Sequence, residues 1–141
     1  MSEKIRVLIA DDHAIVRKGL RDILREASQT AVVGEASNGQ EALALARSQP
    51  WDVVVLDITM PGISGLAVLN KLKEEMPRLP VLMLSMHSGE HYVSGSLKAG
   101  ASGYLSKESA PEELVTAIQA VLAGQTYVSQ SLGPRPSLSR E

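Results

Sequence analysis

The chain contains no cysteine and no phenylalanine, and aromatic residues fill only 3% of its 141 positions. Without cysteine there is no disulfide, no thiolate metal centre and no thiol nucleophile. With so few aromatics, the core has to be built from Leu, Val, Ile, Ala and Met. Charge of one sign is also missing. The formal net charge is only −2, which gives no support for non-specific nucleic-acid binding by this chain. No run is long and apolar enough to span a membrane, and Met1-Ser2-Glu3-Lys4 leads into a strand pattern with no secretory leader. A cytoplasmic protein without membrane contact is expected. A hydrophobic content of 44% against 21% charged residues suits one globular domain with a full-sized core.

What is present is an alternation of two periods. Apolar runs at 5–10, 31–36, 52–57, 81–85 and 102–106 read as strands. Between them lie helical patterns. Residues 14–26 carry Ile15, Val16, Leu20, Ile23 and Leu24 at helical spacing. Asn38 is the expected N-cap of a second helix, with Glu41 at the capping-box position and Pro50 after its end. A Pro/Gly turn at 60–65 precedes a helix over 65–75, and a weaker pattern containing Gly95 covers 89–98. Pro111 opens a last helix reaching about 123, with Leu114, Ile118, Val121 and Leu122 as its expected buried stripe. Residues 1–124 therefore read as one domain. Residues 125–141, with the Pro/Ser-rich stretch from Gly133, read as a linker or tail leading to a further domain absent from this chain.

Strict strand–helix alternation implies an α/β fold with a parallel sheet covered by helices on both faces. Ligands of such sheets bind at the carboxyl ends of the strands. Asp11, Asp12, Asp57, Ser85 and Lys107 all fall at or just after strand ends. Each alone has an ordinary explanation: acids before a helix cap it, an Asp before a Pro/Gly turn forms the turn, and a lone Lys is solvated. Together they place three carboxylates and one ammonium on one edge, a costly cluster unless a cation or a reaction uses it.

These residues closely resemble the receiver domain of two-component response regulators. The likeness covers residues 5–123 and rests on Asp11-Asp12, on Val55-Leu56-Asp57-Ile58-Thr59-Met60-Pro61-Gly62, on Ser85, and on Gly103-Tyr104-Leu105-Ser106-Lys107. Ala10-Asp11-Asp12-His13 and Leu84-Ser85-Met86-His87 look most like the NarL/FixJ (LuxR-type) subfamily. The resemblance implies a five-stranded, doubly wound, flavodoxin-like sheet in the order 2-1-3-4-5. It implies that Asp57 accepts a phosphoryl group from a sensor histidine kinase, as a switch rather than a turnover enzyme. Mg2+ or Mn2+ would be held by Asp11, Asp12, Asp57 and the Thr59 carbonyl. Lys107 and Ser85 would bind phosphoryl oxygens, and Tyr104 would turn inward behind them. Phosphorylation would favour a homodimer, and DNA would be bound only through an absent C-terminal domain. Thr59, Met86 and His87 flank the site and are expected to tune the lifetime of the phosphorylated form. His13 and Trp51 receive structural readings, at a helix start and against the second helix.

Departures from the family pattern are few. Glu108 follows Lys107 where many receivers carry Pro, leaving the isomer of that peptide open, and Met86 is larger than the small residue often found after the hydroxyl. Rival functions fit less well. A dehalogenase-type phosphatase needs a second Asp where Thr59 stands. A partner-binding pseudo-receiver would have lost an acid or the lysine. A flavodoxin-like binder needs a phosphate-cradling loop where Asp11 and Asp12 stand.

Overall fold

The computed structural model describes residues 5–27, 32–86 and 90–129. Strands and helices alternate as β1 (Arg6–Ala10), α1 (Ala14–Ala27), β2 (Val32–Ala36), α2 (Gly39–Ser48), β3 (Val53–Asp57), α3 (Gly65–Glu75), β4 (Val81–Ser85), α4 (Glu90–Lys98), β5 (Gly103–Ser106), α5 (Ala110–Leu122) and β6 (Tyr127–Val128). All strand pairs are parallel, and the sheet runs β2-β1-β3-β4-β5-β6. None of the described helices is long and apolar enough to cross a membrane.

The strands are apolar at consecutive positions because both faces of the sheet are covered. Val7, Ile9, Val53, Val55, Leu82, Leu84 and Leu105 point to the face lined by Leu20 and Leu24 of α1 and by Leu114, Ile118 and Val121 of α5. Leu8, Ala10, Val54, Leu56, Met83 and Tyr104 point the other way, onto Leu43 of α2, Val68, Leu69 and Leu72 of α3, and Val93 of α4. The period-2 alternation of each strand thus feeds two separate cores. Burying one such Leu or Val contributes about 1.5–3 kcal/mol, and this reserve supports a charged edge.

Local chemistry sets the element ends. Asn38 caps α2, its side-chain oxygen accepting from the Glu41 amide at 2.9 Å. The reciprocal half of the expected capping box is shifted by one residue: Glu41 accepts from the amide (2.7 Å) and hydroxyl (2.9 Å) of Ser37, not from Asn38. Two side chains expected in buried stripes face solvent. Ile15 is 85% exposed and Leu122 43% exposed. Ile15 lies nine residues, about two and a half turns, from buried Leu24 and so faces away from it, and Leu122 is the last residue of α5. Trp51 is half-buried and donates its indole N–H to the Leu45 carbonyl of α2 at 2.9 Å. Every described peptide bond is trans, that between Lys107 and Glu108 included.

The five expected strands are joined by a sixth, inside the segment read as tail. Gly124 takes φ 84°, the left-handed conformation that ends α5, and the chain returns so that Tyr127–Val128 pair with β5. Gly103 permits this approach: a Cβ there would lie 2.3 Å from the Tyr127 carbonyl oxygen and 2.7 Å from a Leu82 methyl. Two residues are too few to show a strand period. The Pro/Ser-rich stretch at 133–141 and His87 lie outside the described residues.

Candidate functional site

The sheet ladder continues one residue beyond several strands and fixes the backbone of its carboxyl edge. The Asp11 amide donates to the Ala36 carbonyl at 3.0 Å, the Ile58 amide to Leu84 at 3.0 Å, and the Lys107 amide to Ser85 at 2.9 Å. Asp57 ends β3 and Ser85 ends β4, facing Ser106 in register. Two further devices brace this edge. Arg17 of α1 hydrogen-bonds the Asp11 carbonyl while its Nε pairs with Glu35 of β2 at 3.2 Å. Gly65 lets α3 start directly beneath Asp57, because a Cβ there would stand 2.0 Å from the Asp57 carbonyl oxygen.

The side chains converge as the sequence predicts. Asp11 and Asp57 are 0% and 2% exposed. Lys107 Nζ lies 3.0 Å from Asp57 Oδ2 and 3.2 Å from Asp11 Oδ1, donating to both. It is also 3.0 Å from Asp11 Oδ2, but the alignment there makes no hydrogen bond, and this buried oxygen has none. The other Asp57 oxygen, Oδ1, accepts from the Thr59 amide at 3.1 Å. One ligand atom each from Asp11, Asp12, His13 and Asp57 can be chosen so that all lie within 4.8 Å of one another. Two full charges at that separation repel by roughly 3 kcal/mol at an effective dielectric near 20, and an ammonium at about 3 Å returns more than that.

The ionisation of the site reflects this contest. Burial pushes the Asp57 carboxyl above its ordinary range, the Asp11 charge adds to the rise, and the hydrogen bond from Lys107 reduces it without cancelling it. Burial works against the Lys107 ammonium, yet the hydrogen bonds to Asp11 and Asp57 outweigh it and raise its pKa. Asp57 is thus a desolvated carboxylate held ready beside a permanent cation.

The remaining expected residues are placed unequally. Asp12 is partly exposed and meets His13 Nδ1 at 3.3 Å. Thr59 points to solvent while its backbone serves Asp57. Ser85 is buried at the strand end, and Tyr104, two rungs below in register, is 0% exposed in the core under α4. Met86 is 74% exposed, so its side chain turns to solvent. The residue that sequence reasoning missed is His13. Its backbone does start α1, accepting from the Arg17 amide at 3.1 Å. Its ring, however, enters the site, with Nδ1 3.0 Å from both Asp11 Oδ1 and Lys107 Nζ. Its position directly after the acidic pair was the available signal.

Known proteins share this architecture. Residues 7–119 match the response regulator receiver domain family. The chain is 40% identical over 136 residues to the response regulator UvrY of Escherichia coli K12, covering 96% of this chain and 62% of UvrY. It is 39% identical to the nitrate/nitrite response regulator NarL of the same strain, covering 94% and 61% of the two chains. It therefore spans about six tenths of the length of the curated relatives it matches. Among solved structures, a LuxR-family two-component response regulator from Aurantimonas sp. SI85-9A1 superposes with a TM-score of 0.88 at 36% identity, covering 98% of this chain and 99% of that one. The isolated receiver domain of RcsB from Salmonella enterica serovar Typhimurium, solved with the phosphomimetic BeF3-, gives 0.83 at 28% identity, covering 92% and 96%. With the acidic pair, the strand-end aspartate and the lysine on one edge of a matching fold, the chain belongs to the response regulator receiver family, in its NarL/FixJ (LuxR-type) branch.

Proposed function

We propose that Asp57 accepts a phosphoryl group from a sensor histidine kinase in the cytoplasm, with a divalent cation bound, and that the resulting switch controls a DNA-binding output domain. The observation that carries this reading is the Lys107 ammonium shared between buried Asp57 and Asp11 at 3.0 and 3.2 Å. It is a cation placed where phosphoryl charge arrives.

The Asp57 oxygen not held by the Thr59 amide, Oδ2, is the nucleophile. It bonds to phosphorus while the P–N bond of a phosphohistidine breaks, the electron pair leaving with the donor's imidazole; an acyl phosphate results. Lys107 exchanges its contact with Oδ2 for a phosphoryl oxygen, acting as a point charge. The Ser85 hydroxyl binds a second oxygen, and Tyr104, packed behind β4, transmits the rearrangement toward α4 and β5. The donor set fits a hard cation: Asp11, Asp12, Asp57 and the Thr59 carbonyl would hold Mg2+ or Mn2+, and buried Asp11 Oδ2, ion-paired with Lys107 at 3.0 Å but accepting no hydrogen bond, offers a further oxygen to it. When bound, the cation neutralises repulsion between the carboxylates and the phosphoryl oxygens. Each acceptance is stoichiometric, so the domain is a switch and not an enzyme. A homodimer forms on phosphorylation, and LuxR-type relatives support transcription control as the output.

Intact mass after incubation with acetyl phosphate and Mg2+ tests this directly. One phosphoryl group on the wild type, none on Asp57→Asn and none with EDTA is the expected result. No gain on the wild type overturns the phosphoacceptor reading, and an equal gain on both proteins overturns the choice of Asp57.

A further inference from the structure

Asp11 is tied at its amide, its side chain and its carbonyl. The amide donates to the Ala36 carbonyl of β2 at 3.0 Å, and Oδ1 accepts from the His13 amide at 2.8 Å. The carbonyl lies past the last rung of the β1 ladder and accepts from Arg17 Nη1. This third tie reaches beyond Asp11 itself. A peptide unit is planar, so whatever holds the Asp11 carbonyl also holds the amide and Cα of Asp12. Asp12 is exposed, and its carboxylate meets the His13 ring at 3.3 Å.

Arg17 is itself aimed. Long side chains on a helix point back toward its N-terminus, and this one runs from the first turn of α1 back to Asp11. Its Nε pairs with Glu35 Oε1 at 3.2 Å, while Arg21 Nη1 holds Glu35 Oε2 at 2.6 Å. Glu35 directly precedes Ala36, so β2 grips Asp11 twice: through the Ala36 carbonyl, and through Glu35 and Arg17. A guanidinium carries several N–H donors in a rigid fork, so one side chain serves the carboxylate and the carbonyl together.

We propose that Arg17 is a positioning residue of the phosphorylation site: by fixing the Asp11–Asp12 peptide plane, it sets where the Asp12 carboxylate stands relative to Asp11 and Asp57. This rests on the cation reading above and deepens it, because Asp12 meets a shared cation only as accurately as its backbone is placed. Arg17 acts through Asp12 and touches neither the cation nor the phosphoryl group. Arg21 supplies the control, since it shares Glu35 but pairs otherwise with Asp22.

The test is 15N relaxation of the metal-free full chain, followed by a Mg2+ titration read from amide shifts, for wild type, Arg17→Met and Arg21→Met. Methionine keeps an apolar stem and removes the donors. In Arg17→Met the Asp12 amide order parameter should fall from the rigid range, about 0.85, to below about 0.6. Its Mg2+ dissociation constant should rise about tenfold, as expected on losing a group that orients a cation ligand. Arg21→Met should leave both values unchanged. Arg17→Gln, too short to span the gap, should behave as Arg17→Met and replaces it if that variant fails to fold. An unchanged Asp12 order parameter or an unchanged dissociation constant in the Arg17 variant overturns the proposal and leaves the cation reading standing. An equal rise in Arg21→Met overturns it too, because the effect is then a general loosening of α1 on β2. Absence of saturable Mg2+ shifts in the wild type overturns the cation of the proposed function, and this inference with it.

Discussion

Asp57 is a buried carboxyl set between an ammonium and a like-charged neighbour, and the balance of those effects has a measurable sign. Burial dominates and Asp11 reinforces it, so the folded pKa lies above the unfolded value despite Lys107. The folded state therefore binds this proton more tightly than the unfolded chain does. Stability is lost as pH rises from the unfolded pKa through the folded one, and the full cost persists above both. Asp57→Asn keeps an acceptor for the Thr59 amide and removes the charge. It should raise the neutral-pH melting temperature by a few degrees, a gain on the order of 1 kcal/mol. The difference from wild type should shrink as pH is lowered through the carboxylate range. Thermal melts between pH 3.5 and 7 check this; a less stable variant at pH 7, or a pH-independent difference, would contradict it. Asp11, Asp12, Asp57 and Lys107 were readable from sequence because each follows an apolar run that fixes its place on the sheet edge. For His13 the sequence offered only its place after the acidic pair, because what its ring meets includes Lys107, 94 positions along the chain.

At the level of elements, the least visible piece is the one nearest the chain's exit. Helices α1, α2, α3 and α5 and strands β1 to β5 announce themselves by period and α4 does so more weakly, but β6 is held by side-chain polar contacts that no periodicity encodes. Ser129 is fully buried at its end. Its amide donates to the Tyr104 carbonyl at 2.9 Å, and its hydroxyl bonds Glu113 at 2.5 Å, Ser109 at 3.0 Å and the Ser106 amide at 3.2 Å. Ser106 also bonds Ser109 at 2.6 Å and immediately precedes Lys107, so the docking of β6 is continuous with the lysine that pairs with Asp11 and Asp57. Removing a buried hydroxyl that leaves partners unsatisfied costs about 1–3 kcal/mol. Ser129→Ala should therefore speed amide exchange at Tyr127 and Ser129 by roughly 10- to 100-fold, with β1 and β3 unchanged. Hydrogen-exchange mass spectrometry resolves the two regions. Unaltered β6 protection would mean that strand pairing alone holds the segment, and a uniform loss would mean that β6 is part of the global cooperative unit.

The whole molecule joins two apolar cores, which hold the sheet rigid, to one edge where charge is concentrated beyond what the fold requires. Burial on both faces positions the carboxylates and leaves their repulsion unrelieved except by Lys107 and, in the proposed function, by a cation. Any ligand that binds the folded chain and not the unfolded one stabilises it by mass action. At a free Mg2+ concentration about ten times its dissociation constant, the gain is roughly 1.4 kcal/mol. This should appear as a rise in melting temperature of a few degrees that saturates with MgCl2 and is absent with NaCl of equal ionic strength. The comparison separates binding from screening, because screening of exposed charges responds to ionic strength rather than to the identity of the cation. Asp57→Asn, already relieved of its buried charge, should start at a higher melting temperature and gain less from Mg2+. A wild-type response no larger with Mg2+ than with NaCl would show that the converging carboxylates hold no divalent ion. An equal response in Asp57→Asn would place the ion elsewhere on the chain.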